Sequence, residues 1–154
     1  MAVTSTLDLD AERATGSIRI DAPPEAIFDF LADPSKHAVF DGSDMVQGSS
    51  SSERLALGSK FGMSMKLNVL PYKISNTVVE FVADRRIAWQ HMGKHRWRYE
   101  LEPMEDGSTL VTETFDWSTS SIGPALLLAG YPKRNLEAIE RTLPKLKRAV
   151  EAAV

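Results

Sequence analysis

The sequence predicts an α+β fold: a strongly curved antiparallel sheet that closes on one long C-terminal helix. Three observations carry this prediction. Residues 96–117 (RWRYELEPMEDGSTLVTETFDW) alternate strictly on both sides of an Asp106-Gly107 turn, the signature of an antiparallel hairpin. Shorter alternating segments precede it. After residue 131 the period changes, and Leu136, Ile139, Leu143, Leu146 and Val150 recur every three or four residues as one stripe of an amphipathic helix.

The elements follow in order. Residues 1–12 read as a flexible polar lead-in to a single domain spanning 13–154. Residues 15–21 alternate and stop at Ala22-Pro23-Pro24, a strand ended by prolines. Residues 25–32 place Ala26, Ile27, Phe30 and Leu31 on one side of a short helix, with Pro24 in its first turn and Asp33-Pro34 ending it. A second short helical turn covers 34–38, and Val39-Phe40 leads back toward the sheet.

Residues 48–53 form a serine-rich loop with nothing to bury. Phe61, Met63, Met65, Leu67 and Val69 then share one strand face against Gly62, Ser64, Lys66 and Asn68. A further strand spans 72–83, but both of its faces are mixed and its inward side is not assigned. Ile87, Trp89 and His91 alternate with Ala88, Gln90 and Met92, and the aromatic hairpin follows. Pro144 falls within the helical stripe, where an interior proline costs about 3 kcal/mol and predicts a kink.

Bulk properties narrow the function classes. At 154 residues the chain has room for one domain with its own core. A net charge of −3 gives no electrostatic reason to expect nucleic acid or an anionic membrane as partner. The absence of cysteine excludes disulfides and thiolate chemistry. The N-terminus carries acidic residues rather than a basic end and an apolar run, and no apolar run is long enough to span a bilayer. The expectation is a cytoplasmic protein without integral membrane association.

The segment Ile20-Asp21-Ala22-Pro23-Pro24-Glu25, followed by a helix ending Asp33-Pro34, resembles the opening of the polyketide cyclase/dehydrase-like branch of the START-related, helix-grip superfamily. Gly58-Ser59-Lys60-Phe61 is similar to the G-x-x-F start of that branch's third strand, and Asp106-Gly107-Ser108-Thr109 to its last turn. The resemblance covers residues 13–154. It implies a seven-stranded sheet, two short helices between strands 1 and 2, and a C-terminal helix enclosing a hydrophobic cavity. It implies no particular reaction, because one fold hosts many functions.

Within that frame Phe40, Met63, Met65, Trp89, Trp97, Tyr99, Phe115 and Trp117 either fill a core or wall a cavity. A void of about 300 Å³, small for a ligand site, would cost roughly 7 kcal/mol if unfilled. That is comparable to a whole domain's stability of about 5–15 kcal/mol. A preserved hollow therefore argues for a guest. Glu113 and His91 are the ionisable side chains that alternation turns inward, and burial would raise the pKa of Glu113. Leu127 and Tyr131, in the apolar stretch 122–131, are candidates for the rim of the cavity, a gate or a dimer contact.

His37 and His95 read as solvated, and the three histidines lack a metal-ligand spacing, so no metal site is expected. Arg96 and Arg98 fall on the outer sheet face, balanced by Glu100 and Glu102. No nucleophile elbow, phosphate loop or dinucleotide fingerprint is present, and no cofactor is expected. The leading reading is binding or carriage of a lipid, polyketide or aromatic compound. The alternatives are a polyketide cyclase/dehydratase-type enzyme using Glu113 or His91 for proton transfer, and a dimeric or co-chaperone-like interaction module.

Overall fold

The computed structural model describes residues 3–43, 45–49, 53–67 and 69–154; Asn68 and serines 50–52 of the serine-rich loop lie outside them. Its strands are β1 (Thr4–Asp8), β2 (Arg13–Ile20), β3 (Val46–Gly48), β4 (Lys60–Leu67), β5 (Leu70–Val82), β6 (Arg86–Gln90), β7 (Arg96–Pro103) and β8 (Thr109–Asp116). All pair antiparallel in one sheet of order β1-β2-β8-β7-β6-β5-β4-β3. Helices α1 (Pro24–Leu31) and α2 (His37–Phe40), joined by a tight turn at Pro34–Lys36, connect β2 to β3. Helices α3 (Gly123–Leu128) and α4 (Tyr131–Ala153) end the chain. No helix among the described residues is long and apolar enough to cross a membrane.

Among the described residues the sheet has eight strands where seven were expected. Part of the N-terminal lead-in is itself a strand, because Thr4–Asp8 pairs with residues 13–17 of β2 at the sheet edge. Its threonines suit extended backbone, but its largely exposed side chains carry no apolar alternation to announce it.

Helix α4 buries Ala138, Ile139, Leu143, Leu146 and Val150 and continues through Pro144. It lies over β1, β2 and β8. Gly16 sets the closeness of approach, since a Cβ there would stand 2.5 Å from Ile139 Cγ2. A second contact, to the loop after α2, fixes the helix laterally. Gly42 N–H donates to Thr142 Oγ1 at 2.8 Å, while Arg141 Nε donates to the Gly42 carbonyl at 2.7 Å. A helix drawn onto one side of a curved sheet leaves the concave face of the other strands uncovered.

The inward face of β5 is Tyr72, Ile74, Asn76 and Val78, up to a bulge between Val78 and Glu80. The extra residue reverses the phase. Beyond it Phe81 turns inward onto Phe28 at 5.4 Å, and Glu80 turns outward. This phase change is why both faces of the segment read as mixed. Val69, expected on the inward face of β4, is 87% exposed in the turn between β4 and β5. In α1 the buried side is Ile27, Phe28 and Leu31, with Ala26 and Phe30 only partly covered.

The outer face differs from a solvated charge pattern. Arg96 and Arg98 both donate to Glu80 at 2.8 Å, and Arg98 also reaches Asp116 at 3.2 Å. Burial would raise the pKa of Glu80 and Asp116, but the hydrogen bonds each accepts outweigh it and hold both below the ordinary carboxylate value. Glu80 and Asp116, rather than Glu100 and Glu102, neutralise these arginines.

Candidate functional site

The uncovered part of the concave face encloses a cavity of about 670 Å³. Strands β7 and β8 bring Trp97, Tyr99, Glu113 and Phe115 to one wall, because Tyr99 pairs with Glu113 and Trp97 with Phe115 in register. Strand β6 adds Trp89, and His91 follows it. Met63 and Met65 come from β4, Phe40 from α2, and Tyr131 from the start of α4. Ten of the side chains singled out from sequence thus converge.

Trp117 and Leu127 do not line the cavity. Trp117 leaves the sheet after β8 and buries behind the wall, its ring stacked on Phe115 at 5.8 Å. Residues 123–128 form a helix rather than a loop, so only one of the three consecutive leucines points in. That residue is Leu126; Leu128 is 91% exposed and Leu127 half-exposed.

Two histidines expected in solvent are buried instead: His37 is 5% exposed and His95 8%. His37 sits at the start of α2 and its Nε2 lies 2.9 Å from the Leu31 carbonyl. Burial holds its pKa down to about 4, against smaller opposing effects. His95 meets the edges of His91 and Phe115, with ring centroids at 4.7 and 5.5 Å. Burial, reinforced by His91, holds its pKa at about 4 as well. Burial also lowers the pKa of His91. All three histidines are therefore neutral at pH 7 and behave as flat, weakly polar wall groups.

Glu113 has the opposite problem. It is 3% exposed and accepts one hydrogen bond, from the Tyr99 hydroxyl to Oε2 at 2.8 Å. Burial raises its pKa to about 8, and the hydrogen bond from Tyr99 only partly offsets this. Burial and the neighbouring Glu113 push Tyr99 far above the ordinary phenol value. Glu113 and Tyr99 thus form a neutral, proton-bearing pair set in an aromatic wall. Glu113 and His91 share no direct contact among the hydrogen bonds of this wall, and they face one cavity, Glu113 from β8 and His91 from just after β6.

Sequence reasoning missed His37, His95, Asn76, Asp41 and Thr142 at this site. Asn76 alternates with Ile74 and Val78 and would have been found had the bulge been recognised. Asp41 and the histidines come from helix ends and loops, where no periodicity marks the inward side, while Thr142 lies on the buried stripe of α4, where a polar residue among apolar ones gives no apolar signal. Among the described residues no group of three or more His, Cys, Asp or Glu is placed to hold a metal ion.

Solved structures share the architecture. Protein Ms6760 of Mycobacterium smegmatis superposes with a TM-score of 0.70 at 16% identity over 99% of both chains. The AHSA1-like protein of Aeromonas hydrophila gives 0.60 at 26% identity, over 90% of this chain and 93% of that one. Among curated proteins, the uncharacterised protein Rv0088 of Mycobacterium tuberculosis is 36% identical over 151 residues, which is 95% of this chain and 67% of that protein. The sequence profile described as "Polyketide cyclase / dehydrase and lipid transport" matches residues 11–151, nearly the whole domain described above. This chain is a member of the polyketide cyclase/dehydrase and lipid transport family, with the helix-grip architecture.

Proposed function

We propose that this protein binds an uncharged or weakly polar hydrophobic small molecule between the curved sheet and α4. The observation that carries the reading is the cavity itself. At about 670 Å³ it lies within the usual range of about 300–1,000 Å³ for ligand sites. Its walls are mostly aromatic and methionine side chains, which give large contact area and adapt to the shape of a guest. Its polar groups, among them Glu113, Tyr99, Asn76, Asp41 and the histidines, would set orientation. Burying about 300 Å² of apolar ligand surface would contribute roughly 7 kcal/mol at about 25 cal/mol per Å², enough for useful affinity after the costs of association. Native mass spectrometry of freshly purified protein tests this directly. A bound adduct of apolar character supports it; an apo mass, together with no response to apolar dyes, overturns it.

A catalytic reading rests on one further observation, the neutral Glu113 held by Tyr99 in a buried wall. A carboxyl with a pKa near working pH is suited to exchanging a proton with an enolisable ligand. Glu113→Gln should then abolish turnover while binding persists, and equal turnover in that variant would remove Glu113 from any mechanism.

A further inference from the structure

One of the two carboxyl oxygens of Glu113 is left without a hydrogen bond. Glu113 is one of the residues lining the cavity; its Oε2 accepts from Tyr99, while its Oε1 is fully buried and has no hydrogen-bond partner among the described residues. A buried polar atom left in this way destabilises the fold unless something else satisfies it. The charges around it are equally one-sided, since no lysine or arginine among the described residues lines the cavity. The titratable groups facing Glu113 are His37 from α2, Asp41 just after it, Tyr72 from β5, His91 after β6, His95 and Tyr99 at β7, and Tyr131 from α4. The histidines are held neutral by burial. Asp41 already accepts from Ser43 and from the Val46 amide.

We infer that Glu113 serves as an uncharged hydrogen-bond donor, and that the cavity selects an electrically neutral apolar molecule carrying an acceptor oxygen (a ketone, ester or ether), placed at Oε1. The inference rests on the binding reading above and adds the charge state and head group of the guest. With Oε2 occupied as an acceptor, the carboxyl proton belongs on Oε1, where it points into the cavity. An acceptor oxygen completes the pair. A carboxylate placed there has no cation to meet and pays the full cost of desolvation. An ammonium group could pair with Glu113 only if the carboxyl gave up its proton to solvent, which would leave two charges in an apolar wall. Outside the lining, the guanidinium of Arg134 lies over the Tyr131 ring at 5.5 Å and touches Met45 Sδ. It stands beside two lining residues, where an acid inserted tail-first would place its head.

The test is displacement of the uncharged dye Nile red by four probes of matched chain: methyl undecyl ketone, n-tridecane, laurate and laurylamine. Near pH 7 the ketone should bind roughly tenfold tighter than tridecane, as one buried hydrogen bond allows, and tighter than laurate or laurylamine. Its affinity should fall by roughly tenfold in all as pH rises through about 8 and Glu113 loses its proton, and level off above that. In Glu113→Gln the amide still donates but does not titrate, so ketone binding should persist within a few-fold and lose its pH dependence. Equal affinity for ketone and tridecane overturns the inference, as does tighter binding of laurate or laurylamine, or an unchanged pH slope in Glu113→Gln. Laurate binding that disappears in Arg134→Gln identifies the rim as the true head-group site. The ranking of probes and the pH profile of the wild type need no variant, so a misfolded Glu113→Gln protein does not shelter the idea. Failure of Nile red and all four probes to bind refutes the binding reading itself.

Discussion

The imidazole of His37 lies flat on the indole of Trp89, with ring centroids 4.8 Å apart and planes 20° from parallel. The edges of Phe40 and Phe61 close around it, each at 5.5 Å. Nε2 donates to the Leu31 carbonyl at the end of α1, one of the acceptors a helix leaves without an internal partner. One neutral side chain therefore caps a helix, floors the cavity and fixes the ring of Trp89.

That arrangement predicts acid lability. The folded-state pKa of both His37 and His95 is depressed from 6.5 to about 4. The unfolded chain binds more protons in that window, so stability is present above pH 6.5 and drains away as pH falls toward about 4. For His37 the full effect is roughly 3 kcal/mol. Urea midpoints from about pH 7 to about pH 4 should fall for the wild type and fall less for His37→Gln. An equal slope in the variant would show that His37 is not the group responsible.

Glu113 predicts the opposite slope at higher pH. Its folded-state pKa is raised from 4.5 to about 8, so the folded protein holds the extra proton between those values. Its contribution is complete below 4.5 and is lost as pH rises through about 8. Denaturant melts of Glu113→Gln should lack that decline and exceed the wild type near about pH 8.5 by a few kcal/mol at most. A variant less stable than the wild type throughout would mean that the Tyr99 hydrogen bond outweighs the burial cost.

Trp97 is a wall residue more than a core residue: it is only partly buried and leans on Phe115 at 5.1 Å. Trp97→Ala should weaken binding of an apolar ligand by roughly tenfold while lowering stability by about 1–2 kcal/mol. A fluorescence titration against thermal unfolding separates the two effects. Unchanged affinity would remove Trp97 from the binding wall.

Gly42 permits the contact that anchors the α2 loop to α4. An added Cβ would stand 2.5 Å from the Thr142 amide nitrogen and 2.7 Å from the Arg141 carbonyl carbon, neither of which can swing aside. Gly42→Ala should lower stability by about 1–3 kcal/mol and loosen the side of the cavity formed by Phe40 and Asp41. Urea unfolding with a midpoint equal to wild type would show that the loop relaxes at no cost.

The chain alone determined the alternating strands, the closing helix and the aromatic face, because strand and helix periods are local properties written residue by residue. That is why Trp97, Tyr99, Glu113 and Phe115 could be assigned to one surface before any coordinates. The β5 face stayed unreadable because a bulge after Val78 changes the phase within a single strand. His37, His95 and Asp41 were misplaced or missed because loops and short helices carry no period, and only packing against distant strands buries them. The pairing of Tyr99 with Glu113, and the orphaned oxygen that results, likewise depend on registering two strands against each other. Tertiary structure alone decided whether the apolar face would be filled or left open. Gly16 lets α4 settle over β2 and β8, and a single helix seated there cannot also cover the rest of a curved sheet.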